Sequence, residues 1–365
     1  MSLTANKGEW SEIYTLFKLL SEKRLPIGDE NPDQIAKVFL PIIEILREEK
    51  EKKYKYNSIK DSQNVCIYNG SNELLCRIPF STFKSQAEFL LNELKSPKNK
   101  SAFPIPETED FMGKIHCSTI KASSKDKTDI KIIVHDVFTG LTPLLGFSIK
   151  SELGSRPTLL NPSSATNFIF LVKGCTFSEE EIATINAING TRKIKDRLDK
   201  IGEKGGSLEF LRLESPIFEQ NLLMVDGWLP PILAYALLEH YTKGNSSLSD
   251  ISSRMDKENS LNFPCNSSKN FYSHKIKRLL SDIALGLKPK TEWDGKFEAT
   301  GGYLVVREDG EVLCYHIFYK NQFEAYLLNS TQLDTPSSSR YKYGQIEKLL
   351  TGELIFKLNL QIRFK

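Results

Sequence analysis

The chain predicts an α/β (α+β) protein: a mixed sheet flanked by helices, a helical insert, and a C-terminal α/β unit. Two kinds of pattern carry this expectation. Alternating runs such as Ile130-Lys-Ile-Ile-Val134 and Leu358-Asn-Leu-Gln-Ile-Arg-Phe364 fit half-buried strands, whereas Trp10, Ile13, Phe17 and Leu20 recur at helical spacing. Both kinds are interleaved along the chain. At 365 residues it is too long for one small domain, and three segments are expected: a core at 1–177, a mainly helical region at 178–290, and a compact unit at 291–365.

Taken in order, residues 8–22 predict a helix with Glu12 one turn in, beside the apolar stripe. Residues 31–49, rich in Ile and Leu, read as a second helix after Asn31-Pro32, and the Lys/Glu run from Arg47 to Lys55 reads as its solvated end. Residues 64–78 read as a hairpin about Asn69-Gly70, a strong turn signal. A further amphipathic helix covers 80–95, a Lys- and Pro-containing linker 97–106, and a strand is expected near 114–122. From Asp129 to Lys150 the alternation predicts one hairpin, and a turn at Thr139-Gly140 sets Asp129 opposite Lys150. A Gly/Ser/Pro/Asn loop at 153–165 then leads into a buried strand at 166–172. Ser178-Glu-Glu-Glu181 is a capping box opening the helical region. Residues 229–240, apolar nearly all round, read as a core helix, and His274-Lys-Ile-Lys-Arg278 opens a basic one. Strands at 303–307 and 312–318 flank Glu308-Asp-Gly-Glu311, followed by a helix at 322–329 and a loop at 334–344. In the last strand Leu358, Leu360, Ile362 and Phe364 face a core, leaving Lys357, Asn359, Gln361 and Arg363 outward.

Composition narrows the function classes. A net charge of +3 is only mildly basic, compatible with nucleic-acid binding through local patches. The six cysteines form no C-x-x-C pair and no zinc-ligand spacing, so they read as reduced thiols. The histidines are scattered, no apolar run approaches a membrane span, and no signal peptide appears. A cytoplasmic protein with no membrane partner is expected.

The chemistry concentrates in the 129–150 hairpin. Asp129, Ser148 and Lys150 share its polar face. A carboxylate, a main-chain carbonyl and a lysine at one point are what metal-assisted phosphodiester hydrolysis needs. A hard divalent cation takes oxygen ligands, and a neighbouring lysine orients water or stabilises developing charge. The same pattern also fits an ordinary solvated hairpin face. Asp136 is the rival to Asp129, but it shares parity with the apolar Ile130 and Ile132; Glu9 is second choice to Glu12, and Glu152 reads as a solvated neighbour.

Asn6-Lys-Gly-Glu-Trp-Ser-Glu-Ile-Tyr14, Gly146-Phe-Ser-Ile-Lys-Ser151, Thr158-Leu-Leu-Asn161, Ala299-Thr-Gly-Gly-Tyr303, Asp334-Thr-Pro-Ser337 and Leu358-Asn-Leu-Gln-Ile-Arg-Phe-Lys365 together resemble the HpaII-type type II restriction endonucleases. These matches run from residue 6 to the last. The resemblance implies a PD-(D/E)xK-like, restriction-endonuclease-like sheet in which a helix glutamate, a strand aspartate and an acidic-x-Lys strand form the site. It assigns Asp129, Lys150 and Glu12 to those roles. Ser148 stands where the superfamily usually has Asp or Glu. The implied cofactor is Mg2+, held by Asp129, the carbonyl of Ile149 and Glu12, with Lys150 orienting or activating water and a 3′-oxygen leaving. The implied substrate is double-stranded DNA at a short CCGG-like palindrome, cut by a homodimer at least on DNA, with a cognate DNA methyltransferase. Asn, Gln and Arg pair with base edges and hydroxyls with phosphates, so Arg156, Asn161, Ser338, Arg340, Asn359, Gln361 and Arg363 are the expected DNA contacts. Ser148 leaves room for a second expectation, a non-cleaving DNA-binding protein on a degenerate nuclease scaffold.

Overall fold

The computed structural model describes residues 2–29, 34–49, 52–96, 98, 101–121, 128–137, 139–264 and 270–365. In chain order the elements are α1 (Lys7–Glu22), β1 (Arg24–Gly28), β2 (Gln34–Glu49), β3 (Lys52–Asn57), β4 (Asn64–Asn69), β5 (Leu74–Pro79), α2 (Phe80–Lys95) and α3 (Pro106–Lys114). Then come β6 (Ile130–Val134), β7 (Leu144–Ser151), β8 (Thr158–Leu160), β9 (Asn167–Lys173), α4 (Glu179–Asn186), α5 (Lys193–Glu203), β10 (Ser207–Leu213), α6 (Pro216–Val225), α7 (Leu229–Lys243), α8 (Leu248–Glu258) and α9 (Phe271–Leu285). The chain ends in β11 (Gly302–Val306), β12 (Val312–His316), α10 (Lys320–Ser330), β13 (Thr331–Leu333), α11 (Ser338–Tyr341), β14 (Ile346–Lys348), β15 (Leu354–Asn359) and β16 (Ile362–Phe364).

The chain groups into two units rather than three consecutive segments. The first comprises Met1–Pro157, Ala284–Gly286 and Phe297–Tyr326; the second comprises Thr158–Ile283, Leu287–Lys296 and Leu327–Lys365. The expected 291–365 unit is therefore divided, its first hairpin joining the sheet built by the N-terminal half.

The first unit is a nine-stranded mixed sheet in the order β1-β12-β11-β7-β6-β2-β3-β4-β5. Strand β7 lies between β6, antiparallel to it, and β11, parallel to it. Helix α1 packs against α2 and touches β7. It starts at a capping box, with Asn6 accepting from the Glu9 N–H and Glu9 accepting from the Asn6 N–H. Its stripe of Trp10, Ile13, Phe17 and Leu20 is wholly buried. Burial of each such side chain contributes about 1.5–3 kcal/mol. Two glycines admit β11 to the middle of the sheet. A Cβ at Gly301 would fall 2.6 Å from the Phe147 ring, and Gly302 adopts φ +101° with the Tyr315 carbonyl occupying the place a Cβ would need.

Several expected elements differ. Residues 34–49 form strand β2, not a helix; the start of that expected helix at Asn31-Pro32 lies outside the described residues. Pro41 lacks an N–H and its ring clashes with a preceding helical carbonyl, while β-branched Val38, Ile42, Ile43 and Ile45 favour a sheet. The Arg47–Lys55 run is the β2–β3 pair as far as its residues are described, and Arg47 and Glu49 form an ion pair only 10% and 2% exposed. Glu49 there accepts from the Ser118 and Thr119 hydroxyls. No strand occurs at 114–121: Lys114 closes α3 and the segment after it is irregular, with residue 122 outside the described residues. The 178–290 region is helical except for β10, which pairs with β9; Cys265 lies outside the described residues.

The second unit holds a four-stranded sheet, β10-β9-β15-β14, and a three-stranded one, β13-β16-β8. The expected single terminal strand is thus two strands in two sheets, parted at Leu360-Gln361. Ser178 caps α4 through the expected capping box, and α7 is largely buried. No single helix among the described residues is long and apolar enough to cross a membrane.

Candidate active site in the nine-stranded unit

Strands β6 and β7 pair Ile130 with Phe147 and Ile132 with Leu145, so Asp129 lies opposite Ser148 rather than Lys150. The turn is the cause. Asp136 accepts from the Thr139 hydroxyl at 2.8 Å and its carbonyl accepts from Gly140 N–H at 2.8 Å, which centres the turn one residue earlier than expected. Moving the centre by one residue moves the register by two. A two-residue slip keeps every side chain on its own face, so Asp129 keeps its face and changes its partner.

That partner is a pair of donors. Asp129 Oδ2 accepts from Ile149 N–H at 2.6 Å and from Ser148 Oγ at 3.1 Å. Its Oδ1 accepts nothing among the described residues. Burial pushes the Asp129 carboxyl above the ordinary carboxylate range, opposed by the Ile149 N–H, by Lys150, by the Ser148 hydroxyl and by Lys121. Lys150 is pushed the other way: burial lowers its proton affinity, opposed by the charges of Asp129 and Glu12. Asp136, by contrast, is absorbed in its turn. Glu9 is committed to capping α1 and to an ion pair with Lys121 at 2.5 Å. Glu12 is half-buried on α1, and its charge reaches both Lys150 and Lys121.

Three features of this site do not show in the sequence pattern. Tyr303 pairs with Ser148 in the β7–β11 register, and its ring lies 5.1 Å from Lys150 Nζ, within cation–π range. Lys121 faces the three carboxylates Glu9, Glu12 and Asp129 from the loop after α3. Ser11 Oγ donates to Ser151 Oγ at 2.8 Å in a buried contact joining the residue before Glu12 to the residue after Lys150. Tyr303 ends the Ala299–Tyr303 stretch that contributes to the family resemblance, and Ser11 and Ser151 flank two site residues; only pairing between distant segments reveals their use.

The donor set fits a hard divalent cation. No group of three or more His, Cys, Asp or Glu side chains is placed to hold a metal by itself among the described residues. Such a cation needs only one or two carboxylates when substrate phosphate and water complete its shell. Asp129 Oδ1, the Ile149 carbonyl and Glu12 offer oxygen alone. Because Ser148 gives Asp129 a donor and not a second charge, Ser148→Asp is expected to set two carboxylates against each other. Its metal-free form should lose about 1–3 kcal/mol. Thermal unfolding with and without Mg2+ measures this, and a metal-induced rise in Tm larger than the parent's is the expected result.

The expected DNA contacts are distributed otherwise. Arg156 and Asn161 are exposed, as is Arg340, whose guanidinium stacks 5.5 Å from the Tyr341 ring. Asn359 is wholly buried: its amide donates to the Ser163 carbonyl at 2.7 Å and to Asn167 Oδ1 at 2.6 Å. Gln361 and Ser338 are buried as well, and Arg363 pairs with Asp334 at 3.0 Å. The expectation that the polar face of the last strand points outward is overturned. Asn359 and Gln361 are inside the second unit, while Lys357 and Arg363 are half-buried in ion pairs, and polar alternation cannot distinguish solvent from such satisfied partners.

The sequence profile of the HpaII restriction endonuclease family matches residues 6–364. The type II restriction enzyme HpaII of Haemophilus parainfluenzae is 44% identical over 362 residues, covering 99% of this chain and 98% of that protein. No solved structure matches.

Proposed function

Since this chain belongs to the HpaII restriction endonuclease family, we propose that its nine-stranded unit is a restriction-endonuclease-like fold whose β6–β7 hairpin is the cleavage site. The chain is a type II restriction enzyme, a site-specific deoxyribonuclease acting on DNA. The observation that carries the site assignment is the Asp129 carboxylate, fixed by the Ile149 N–H and the Ser148 hydroxyl beside a desolvated Lys150.

In this reading Asp129, the Ile149 carbonyl and Glu12 hold Mg2+. When bound, that ion supplies Lewis-acid charge beside the scissile phosphate. Asp129 is oriented without being neutralised, because both its donors are uncharged. Lys150, whose lowered proton affinity favours the free amine, takes a proton from the attacking water as its oxygen bonds to phosphorus; the P–O3′ bond breaks and the 3′-oxyanion takes a proton from solvent water. Tyr303 restrains the Lys150 stem and Nζ by stacking, and the Ser11–Ser151 hydrogen bond keeps α1, with Glu12, in step with β7. Lys121, anchored by Glu9, presents a second cation to the phosphate. The substrate is double-stranded DNA at a CCGG-like palindrome, and cutting both strands of a palindrome calls for a two-fold dimer on DNA and a cognate methyltransferase that protects the host sites. Arg156, Asn161 and Arg340, all exposed, contact that DNA.

Unmethylated plasmid DNA incubated with the protein should give discrete fragments ending at CCGG-like sites when Mg2+ is present, and none in EDTA. Binding without any cleavage under Mg2+ or Mn2+ would instead favour a scaffold that binds DNA and no longer cuts.

A further inference from the structure

The second unit contains an open groove of about 520 Å³ between the start of α5 and the segment leading to α11. One wall carries Arg192, Lys193 and Lys195; the other carries Thr335, Ser337 and His240. No carboxylate lines it among the described residues. Arg192 is paired at long range with Asp196, 3.9 Å away, and Lys195 with Asp199 at 3.0 Å. Lys193 is half-buried and makes no ion pair or side-chain hydrogen bond among the described residues. With Arg192 and Lys195 beside it, Lys193 gives this wall a net positive face that attracts an anion. The opposite wall carries the exposed Thr335 and Ser337 hydroxyls, the latter also accepting from the Arg340 N–H and lying 3.2 Å from Ser339 Oγ. His240 is itself tied up, with Nε2 against Thr335 Oγ1 and Nδ1 against Ser246 Oγ, each at 3.0 Å. Asp334, the nearest acid in sequence, is turned to Arg363 and to the Thr335 N–H.

We propose that this groove is a docking site for the DNA phosphodiester backbone, centred on Lys193 and completed by the hydroxyls of Thr335 and Ser337. Point charges and hydroxyls grip phosphate without reading bases, whereas base recognition uses forked Arg, Asn or Gln donors. The groove therefore contributes affinity common to all sequences. This rests on the DNA-cleaving reading above for its choice of anion, but its test does not depend on cleavage.

Binding is measured without divalent metal, by fluorescence anisotropy on a CCGG-containing and a scrambled duplex over a series of salt concentrations. Lys193→Ala is expected to weaken both duplexes by the same factor and to lower the salt slope by about 0.9, the value for one phosphate left without its cation. Lys193→Arg should restore the slope. Lys200→Ala, which removes an ammonium already paired with Glu203 at 2.6 Å, controls for the loss of one charge and should keep the parent's slope. A Lys193→Ala slope equal to the parent's would overturn the groove, even where the parent cuts plasmid normally. A loss confined to the CCGG duplex would overturn it too, since that signals base reading. Failure of the parent to cut any DNA would remove the nuclease reading and leave the slope result standing.

Discussion

Asp129→Ala is expected to lower DNA cleavage by on the order of 10³-fold or more, while specific binding changes little. Charge stabilisation by a bound cation is worth several kcal/mol in the transition state, and every 1.36 kcal/mol is tenfold in rate. The substitution also strips Ile149 N–H of its acceptor, at a cost of about 1–3 kcal/mol in stability. Asp129→Asn keeps an acceptor and should fold like the parent, yet cut as poorly as Asp129→Ala. Asp136→Ala removes the turn hydrogen bonds with Thr139, away from the Asp129 carboxylate, and should retain cleavage. Single-turnover rates with binding measured in parallel decide the matter: a cutting Asp129→Asn beside a dead Asp136→Ala would reverse the assignment.

Lys150→Ala should lose about 10²–10⁴-fold, the usual worth of a general base. The more telling variant is Lys150→Arg, because a guanidinium never gives up its proton in a protein. If Lys150 accepts a proton, Lys150→Arg is as inactive as Lys150→Ala. If only its charge matters, Lys150→Arg retains most activity, and the base role is lost. The pH dependence has a definite sign. Burial places the Lys150 proton affinity below that of an ordinary lysine, and the amine acts only when neutral, so the rate rises with pH and levels off earlier than for a free lysine. The Asp129 carboxyl, raised by burial, adds a second rising limb at acid pH. Both limbs should be read from single-turnover rates at fixed metal and salt.

Much of this site is legible in the sequence because its information is local. Face parity along a strand is a property of consecutive residues, so Asp129, Ser148 and Lys150 fall on one face even though the register differs by two from the expected one. What the sequence hides depends on partners the chain meets at a distance. Pro41 and the β-branched residues around it outweigh the Ile/Leu content that suggests a helix at 31–49. The terminal alternation is real, with Leu358 and Ile362 buried, but Asn359 is equally buried because Ser163 and Asn167 satisfy its amide. Nothing in residues 357–364 alone announces that partner. Tyr303 stands out in the sequence for its motif and not for its place, since only the parallel pairing of β11 with β7 brings it to Lys150.

That pairing has a consequence for when the enzyme becomes one. The parallel sheet neighbour of β7, and strand β12 beyond it, are supplied by residues 302–316, long after β7 itself has left the ribosome. At translation speeds of about 5–20 residues per second, the nascent chain carries Asp129 and Lys150 for many seconds before β11 exists to close over them. A growing or prematurely terminated polypeptide thus holds the residues assigned above to cleavage without the strand that brings Tyr303 to Lys150. A product that ends before residue 302 therefore lacks both β11 and β12, the strands next on that side of β7.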